Sequence, residues 1–130
     1  LLKCFEEGGQ KLPVLTSLGR RRALRLAMEA IREAADPILT VAELCRLSGA
    51  SERMLGYAFR ESFNMSPKAY LHARRLNVVR RELLNGGAST LIVEVAGGQG
   101  FWHMGQFAAD YRKMFDELPS ETLARSKRRG

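Results

Sequence analysis

Between Arg20 and Ala35 the apolar residues Leu24, Met28, Ile31 and Ala35 are spaced four, three and four, the stripe of an amphipathic helix that Pro37 stops. Thr40 is a suitable N-cap for a short helix over Val41 to Leu47, and Ser48-Gly49-Ala50 suits a tight turn. Ser51 caps the next helix, in which Leu55, Phe59, Ser62 and Phe63 keep the helical period and Asn64, tolerant of the left-handed conformation, makes an end. Ser66-Pro67 joins an N-cap to a proline at the first helical position and opens a longer helix to about Leu84, striped by Ala69, Ala73, Leu76, Val79 and Leu83. Asn85-Gly86-Gly87 closes it. Further on, Leu91 to Ala96 predicts a short helix and Gly97-Gly98-Gln99-Gly100 a turn. Trp102 to Phe115 predicts a longer helix with Phe107, Tyr111 and Met114 inward, and Pro119 to Ser126 a last one. Only Leu91-Ile92-Val93 is β-prone, and no second alternating run exists to pair with it. The predicted class is all-α, with about seven helices.

The second half of this pattern repeats the first. Phe59, Arg60, Phe63, Asn64 and Pro67 align with Tyr111, Arg112, Phe115, Asp116 and Pro119 at a constant offset of 52. Upstream the offset is 51, where Val41, Glu43, Leu44, Cys45 and Gly49 meet Ile92, Glu94, Val95, Ala96 and Gly100. The chain therefore carries one short-helix, turn, long-helix unit twice, with one extra residue after the second glycine. Each copy has a small residue four before its glycine, Cys45 to Gly49 and Ala96 to Gly100. A helix-turn-helix needs that spacing: the small side chain lies where the helices cross, and glycine supplies the positive φ of the turn. Leu55 and Phe107 then plug the angle between the helices.

Composition narrows the function. The 130 residues suffice for about one domain; 45% are hydrophobic and 27% charged, which fits a folded globular protein. A formal charge of +7 points to a polyanionic partner. Cys4 and Cys45 have neither disulfide-framework nor zinc spacing, and His72 and His103 lack a partner ligand one turn away, so no metal or cofactor is expected. The glycine-rich turn at 97–100 follows no strand and lacks the lysine of a phosphate loop, and no paired-carboxylate site stands out, so no enzyme is expected. No apolar run is long enough to span a membrane and no signal peptide is legible, so the expected location is cytoplasmic. Residues 1–19, starting at Leu1 with Gly8-Gly9 and Pro13, read as a linker or the tail of a missing N-terminal domain, and Lys127-Arg128-Arg129 as a tail.

The outer face of the first long helix offers Arg53, Gly56, Tyr57 and Arg60 behind the cap Ser51, and that of the second offers Trp102, His103, Gln106, Ala109 and Lys113. Arg, Gln and His can read base edges, and Tyr, Trp and Ala can touch a thymine methyl or a sugar. The 18 residues from Pro67 to Leu84 make a helix of roughly 27 Å. That is near the ~34 Å between successive major-groove faces, so two recognition helices, about 52–63 and 102–115, are expected to act on one duplex. Lys68, Arg74, Arg75 and Arg81 are placed to meet phosphates between them, whereas Arg20-Arg21-Arg22 reads rather as a solvated helix start.

The first copy, the joint Ser66-Pro67-Lys68-Ala69-Tyr70-Leu71, the Arg75-Leu76 pair, and Gly100-Phe101, Phe107, Tyr111-Arg112, Phe115 and Pro119 resemble the DNA-binding domain of AraC/XylS-type bacterial transcriptional regulators. The resemblance covers about residues 20 to 125. It implies a double helix-turn-helix domain at 20–126 (first unit 20–65, connecting helix 66–85, second unit 89–126) that binds double-stranded DNA. It also implies RNA polymerase as a partner and an N-terminal effector or dimerisation domain. Members often carry Arg where this chain has Tyr57 and Ala109, and Gly where it has Asn64 and Asp116. The missing arginines leave one alternative: a basic helical adaptor for an acidic protein or membrane surface.

Overall fold

The computed structural model describes the backbone of residues 13–34 and 38–129, and the side chains of residues 18–34 and 38–128. Over these residues the chain forms seven helices: α1 (Pro13–Glu33), α2 (Val41–Ser48), α3 (Glu52–Phe63), α4 (Pro67–Leu84), α5 (Ile92–Gly98), α6 (Met104–Phe115) and α7 (Pro119–Arg129). No strand occurs among the described residues. Two compact units share the chain, the first ending at Tyr70 and the second running from Leu71 and including Ile38.

In the first unit α1 packs on α2 and α3. Its buried stripe is Ala23, Ala27 and Ile31. The expected Leu24 and Met28 are only half-buried, because methyl-sized side chains let helices approach closely and displace larger ones to the flanks. Ala35 and Pro37, also named in that expectation, lie outside the described residues. The helix starts at Pro13 rather than Arg20, so the end of the segment read as linker is helical; a proline with φ preset for the first turn starts helices well. Leu39, Leu44, Leu55, Ala58 and Phe59 complete the buried apolar set. Phe59 meets Phe63 at 5.5 Å and Tyr70 at 5.4 Å between ring centroids, and Tyr70 stacks on Phe63 at 4.7 Å.

The core of the second unit is built from Leu76, Val79 and Leu83 of α4, Ala96 of α5, Phe101, Phe107 and Tyr111 of α6 and its approach, and Leu123 of α7. Three expected stripe positions fail: Ser62 and Ala69 are exposed residues of the first unit, and Met114 is an exposed residue of the second. Phe115 takes the inward place beside Met114, its ring 4.7 Å from that of Tyr111. The helix α5 runs on through Gly97 and Gly98, leaving only Gln99 and Gly100 for the turn, and α7 continues through Lys127 and Arg128.

The unit is closed by a polar chain. Buried Tyr111 donates to Thr122 Oγ1 at 2.7 Å, Thr122 donates to Glu117, and Arg125 donates to both oxygens of Glu117, with Arg80 at 3.6 Å. The hydrogen bonds from Arg125 and Thr122, aided by the charges of Arg125 and Arg80, hold the Glu117 carboxyl at about 2 although burial pushes the other way. A carboxyl lowered on folding contributes stability that is complete above its ordinary value of 4.5 and is lost as pH falls through about 2. Glu117→Gln is therefore expected to lower the thermal midpoint at neutral pH and to flatten its fall between those two pH values. Circular dichroism melts across that range check this, and parallel acid profiles for both proteins would contradict it.

Candidate nucleic-acid interface

The sequence repeat is a repeat of hydrogen bonds. Ala50 N–H donates to Cys45 O at 3.2 Å and Phe101 N–H to Ala96 O at 3.0 Å, the same bond across each turn. Gly49 at φ 69° and Gly100 at φ 87° occupy the left-handed region there. The left-handed φ favours glycine at both; an added Cβ at Gly49 would meet nothing, whereas one at Gly100 would lie 3.1 Å from the Ile38 side chain, which would have to shift. The long helices open alike, with Leu55 N–H on Ser51 O at 3.0 Å and Phe107 N–H on His103 O at 2.9 Å. They also close alike. Asn64 and Asp116, at φ 58° and 59°, donate to Arg60 O and Arg112 O at 3.1 and 2.8 Å. The expected plugs Leu55 and Phe107 are buried in the angles. Cys45 is half-buried in the crossing, where burial and then the nearby Glu52 carboxylate push its thiol up, as suits packing rather than redox chemistry.

Local chemistry sets each start. Thr40 and Glu43 form a reciprocal capping box on α2. Ser51 Oγ accepts from Met54 N–H at 3.1 Å, so this candidate is first a cap of α3, with its hydroxyl proton still available. Ser66 Oγ accepts from Ala69 N–H at 3.1 Å ahead of Pro67. His103 takes the cap position of α6 without a side-chain bond.

On α3, Arg53, Tyr57 and Arg60 are exposed at spacings of four and three, one face of the helix. Arg53 donates from Nε and Nη2 to the Tyr57 hydroxyl, both at 3.3 Å, with its guanidinium 5.7 Å from the ring centroid. Gly56 departs from expectation. It is buried rather than on the open face, because the Arg60 side chain lies over it, 3.4 Å from where a Cβ would stand. Arg20, read from sequence as part of a solvated start, is held beside this face: Nε and Nη2 donate to the two Glu61 oxygens at 3.1 Å each. Arg20, Tyr57, Arg60 and Glu61 together line a shallow hollow.

On the second unit Trp102 and His103 precede the helix instead of starting it, since the extra residue after Gly100 lengthens the turn. Trp102 is 74% exposed and rests on Gly97, where a Cβ would stand 3.1 Å from the ring. Gln106, Ala109 and Lys113 are exposed, as is Arg112, the partner of Arg60 in the repeat and a position that register alone identifies. Gln106 Nε2 donates to Asp110 Oδ1 at 2.8 Å. Along α4, Lys68 and Arg81 are exposed and Arg74 and Arg75 half-buried. Arg75 Nε is buried without a hydrogen-bond partner among the described residues, and burial lowers the guanidinium pKa. Among these residues no helix is long and apolar enough to cross a membrane.

Two turn-linked helix pairs, each presenting the exposed face of its second helix, define a double helix-turn-helix domain. A family model described as "Helix-turn-helix domain" matches residues 44–125. The chain is 37% identical over 101 residues to the "Probable thc operon regulatory protein" of Rhodococcus erythropolis, covering 77% of this chain and 30% of that one. It is equally 37% identical over 90 residues to the "XylDLEGF operon transcriptional activator 1" of Pseudomonas putida, covering 68% and 27%. A solved structure from Rhodopseudomonas palustris, described as a probable AraC family transcriptional regulator, superposes with a TM-score of 0.72 at 37% identity, covering 81% of this chain and 97% of that one. The chain belongs to the AraC family, as a helix-turn-helix domain for sequence-specific DNA binding in transcription regulation. It spans about 30% of the length of the curated relatives it matches first.

Proposed function

We propose that α3 and α6 are recognition helices that enter successive major grooves of one DNA duplex, with α4 as the spacer. The observation that carries this reading is the shared hydrogen-bond register of the two turns, which builds the same docking element twice on one chain. The unbroken 18-residue α4, roughly 27 Å long, suits a separation near one turn of B-DNA. In the first block Arg53 reads a guanine edge, with Tyr57 steadying its guanidinium and contributing its own ring, and Arg60 lies across Gly56 towards the groove wall. In the second block Gln106 reads a base edge, while Trp102, His103 and Ala109 make apolar and sugar contacts. Ser51, Lys68, Arg74 and Lys113 hold phosphates, and Arg20, anchored by Glu61, adds one more beside α3. The family and the short span of relatives covered support a longer regulator, with an effector or dimerisation domain elsewhere in the protein and RNA polymerase as its partner at the promoter.

Neutralising about six phosphates gives an expected slope of roughly −5 for log K against log salt. Fluorescence anisotropy on a labelled duplex measures it. A flat response, or tighter binding to anionic vesicles than to duplex, would overturn the reading in favour of an adaptor.

A further inference from the structure

Asp110, one turn beyond Gln106 on α6, has a polar partner on each of its two oxygens. One oxygen accepts from Gln106 Nε2 at 2.8 Å, one turn back on α6. The other lies 3.2 Å from His72 Nε2 of α4. His72 is itself fixed edge-on against the Phe101 ring, with centroids 5.5 Å apart, and Phe101 is buried in the core of this unit. A glutamine and an aspartate one turn apart on a helix surface ordinarily make a weak, mobile pair. Here a side chain of a second helix, itself packed on a core ring, approaches the far oxygen of the carboxylate, so the aspartate has a partner on each side.

We infer that His72 and Asp110 are positioning residues that fix the Gln106 amide for base readout. An amide has two N–H donors and a carbonyl acceptor. With one N–H committed to Asp110, the second N–H and the carbonyl oxygen remain as an adjacent donor and acceptor, the pair that bidentate recognition of adenine requires. Rotation of the amide by half a turn, which would exchange donor and acceptor and blur the preference, is blocked because the carbonyl cannot face a carboxylate. Gln106 then offers a base one fixed arrangement of donor and acceptor, where a free glutamine would accept several. This inference rests on the proposed entry of α6 into a major groove.

The test separates positioning from simple charge. Removing a carboxylate beside DNA should, on electrostatic grounds alone, tighten binding to every duplex. Positioning requires the opposite on the preferred duplex: Asp110→Ala loses discrimination at one base pair of the second block, while random-duplex affinity holds or rises. Gln106→Ala is expected to lose roughly 5- to 150-fold at that pair, Asp110→Ala to fall within about twofold of it, and the double variant to lose nothing further. His72→Phe, which keeps a ring against Phe101, should lose part of the same preference. The Gln106 side-chain amide signals in the nitrogen–proton NMR spectrum of the DNA-free chain give a readout independent of binding. They are expected to be dispersed and rigid in the parent and to collapse towards mobile values in Asp110→Ala. Full discrimination in Asp110→Ala, with Gln106→Ala impaired, overturns the positioning role but leaves base reading intact. Unchanged discrimination in Gln106→Ala overturns both.

Discussion

Phe59→Ala is expected to destabilise the protein by about 3–5 kcal/mol, the usual cost of deleting a large aromatic from a packed core. Phe59 is fully buried, and its ring touches Phe63 on α3 and Tyr70 on α4, so the cavity would open where α3 meets the start of α4. Because a whole domain is stable by only about 5–15 kcal/mol, this single change should consume much of the margin. Duplex binding should be lost in step with folding and regained on cooling, since the deleted ring is wholly inside the fold. Urea titration followed by circular dichroism, with anisotropy on the same samples, checks both halves. A variant that melts like the parent would show that the aromatic cluster is not the anchor of α3.

Arg53→Ala should act in the opposite manner, with folding unchanged and recognition impaired. A guanidinium that reads a base edge contributes about 1–3 kcal/mol of discrimination at one pair. The hydrogen bonds to Tyr57 steady the guanidinium, so Tyr57→Phe, which keeps the ring but removes the acceptor, should relax the same base pair to a smaller degree. Lys68→Ala is the control: if Lys68 holds a phosphate as proposed, its loss weakens all sequences alike and reduces the salt slope by about one. Competition of each variant between a selected duplex and random duplex makes the comparison. Equal losses on both duplexes for Arg53→Ala would remove it from the reading face.

The parts of the fold that were legible in the sequence are those fixed by neighbouring residues. Thr40, Ser51 and Ser66 cap, Gly49 and Gly100 turn, Asn64 and Asp116 close, and each does so through bonds to groups within a few positions. The repeat extended that local chemistry into an architecture. What was hidden depends on packing or on distant partners. A hydrophobicity stripe favours Leu24 and Met28 over Ala23 and Ala27, because bulk raises the apolar signal while close approach of α2 and α3 to α1 rewards small side chains. Met114 scores as well as Phe115, and only the position of Tyr111 decides which turns inward. Gly56 lies on the outer arc by period yet is covered by Arg60, an effect of a long side chain folding back. The Arg20–Glu61 and His72–Asp110 pairs each join separate helices, and no periodicity can announce them.

Everything proposed for the site depends on α3 and α6 meeting one duplex together. Hydroxyl-radical footprinting of this chain on a duplex selected from a random pool measures that directly. The expected result is two protected blocks centred about 10 base pairs apart on one face of the DNA, with Arg53→Ala weakening the first block and Gln106→Ala the second. A single protected block, unchanged by Gln106→Ala, would contradict it.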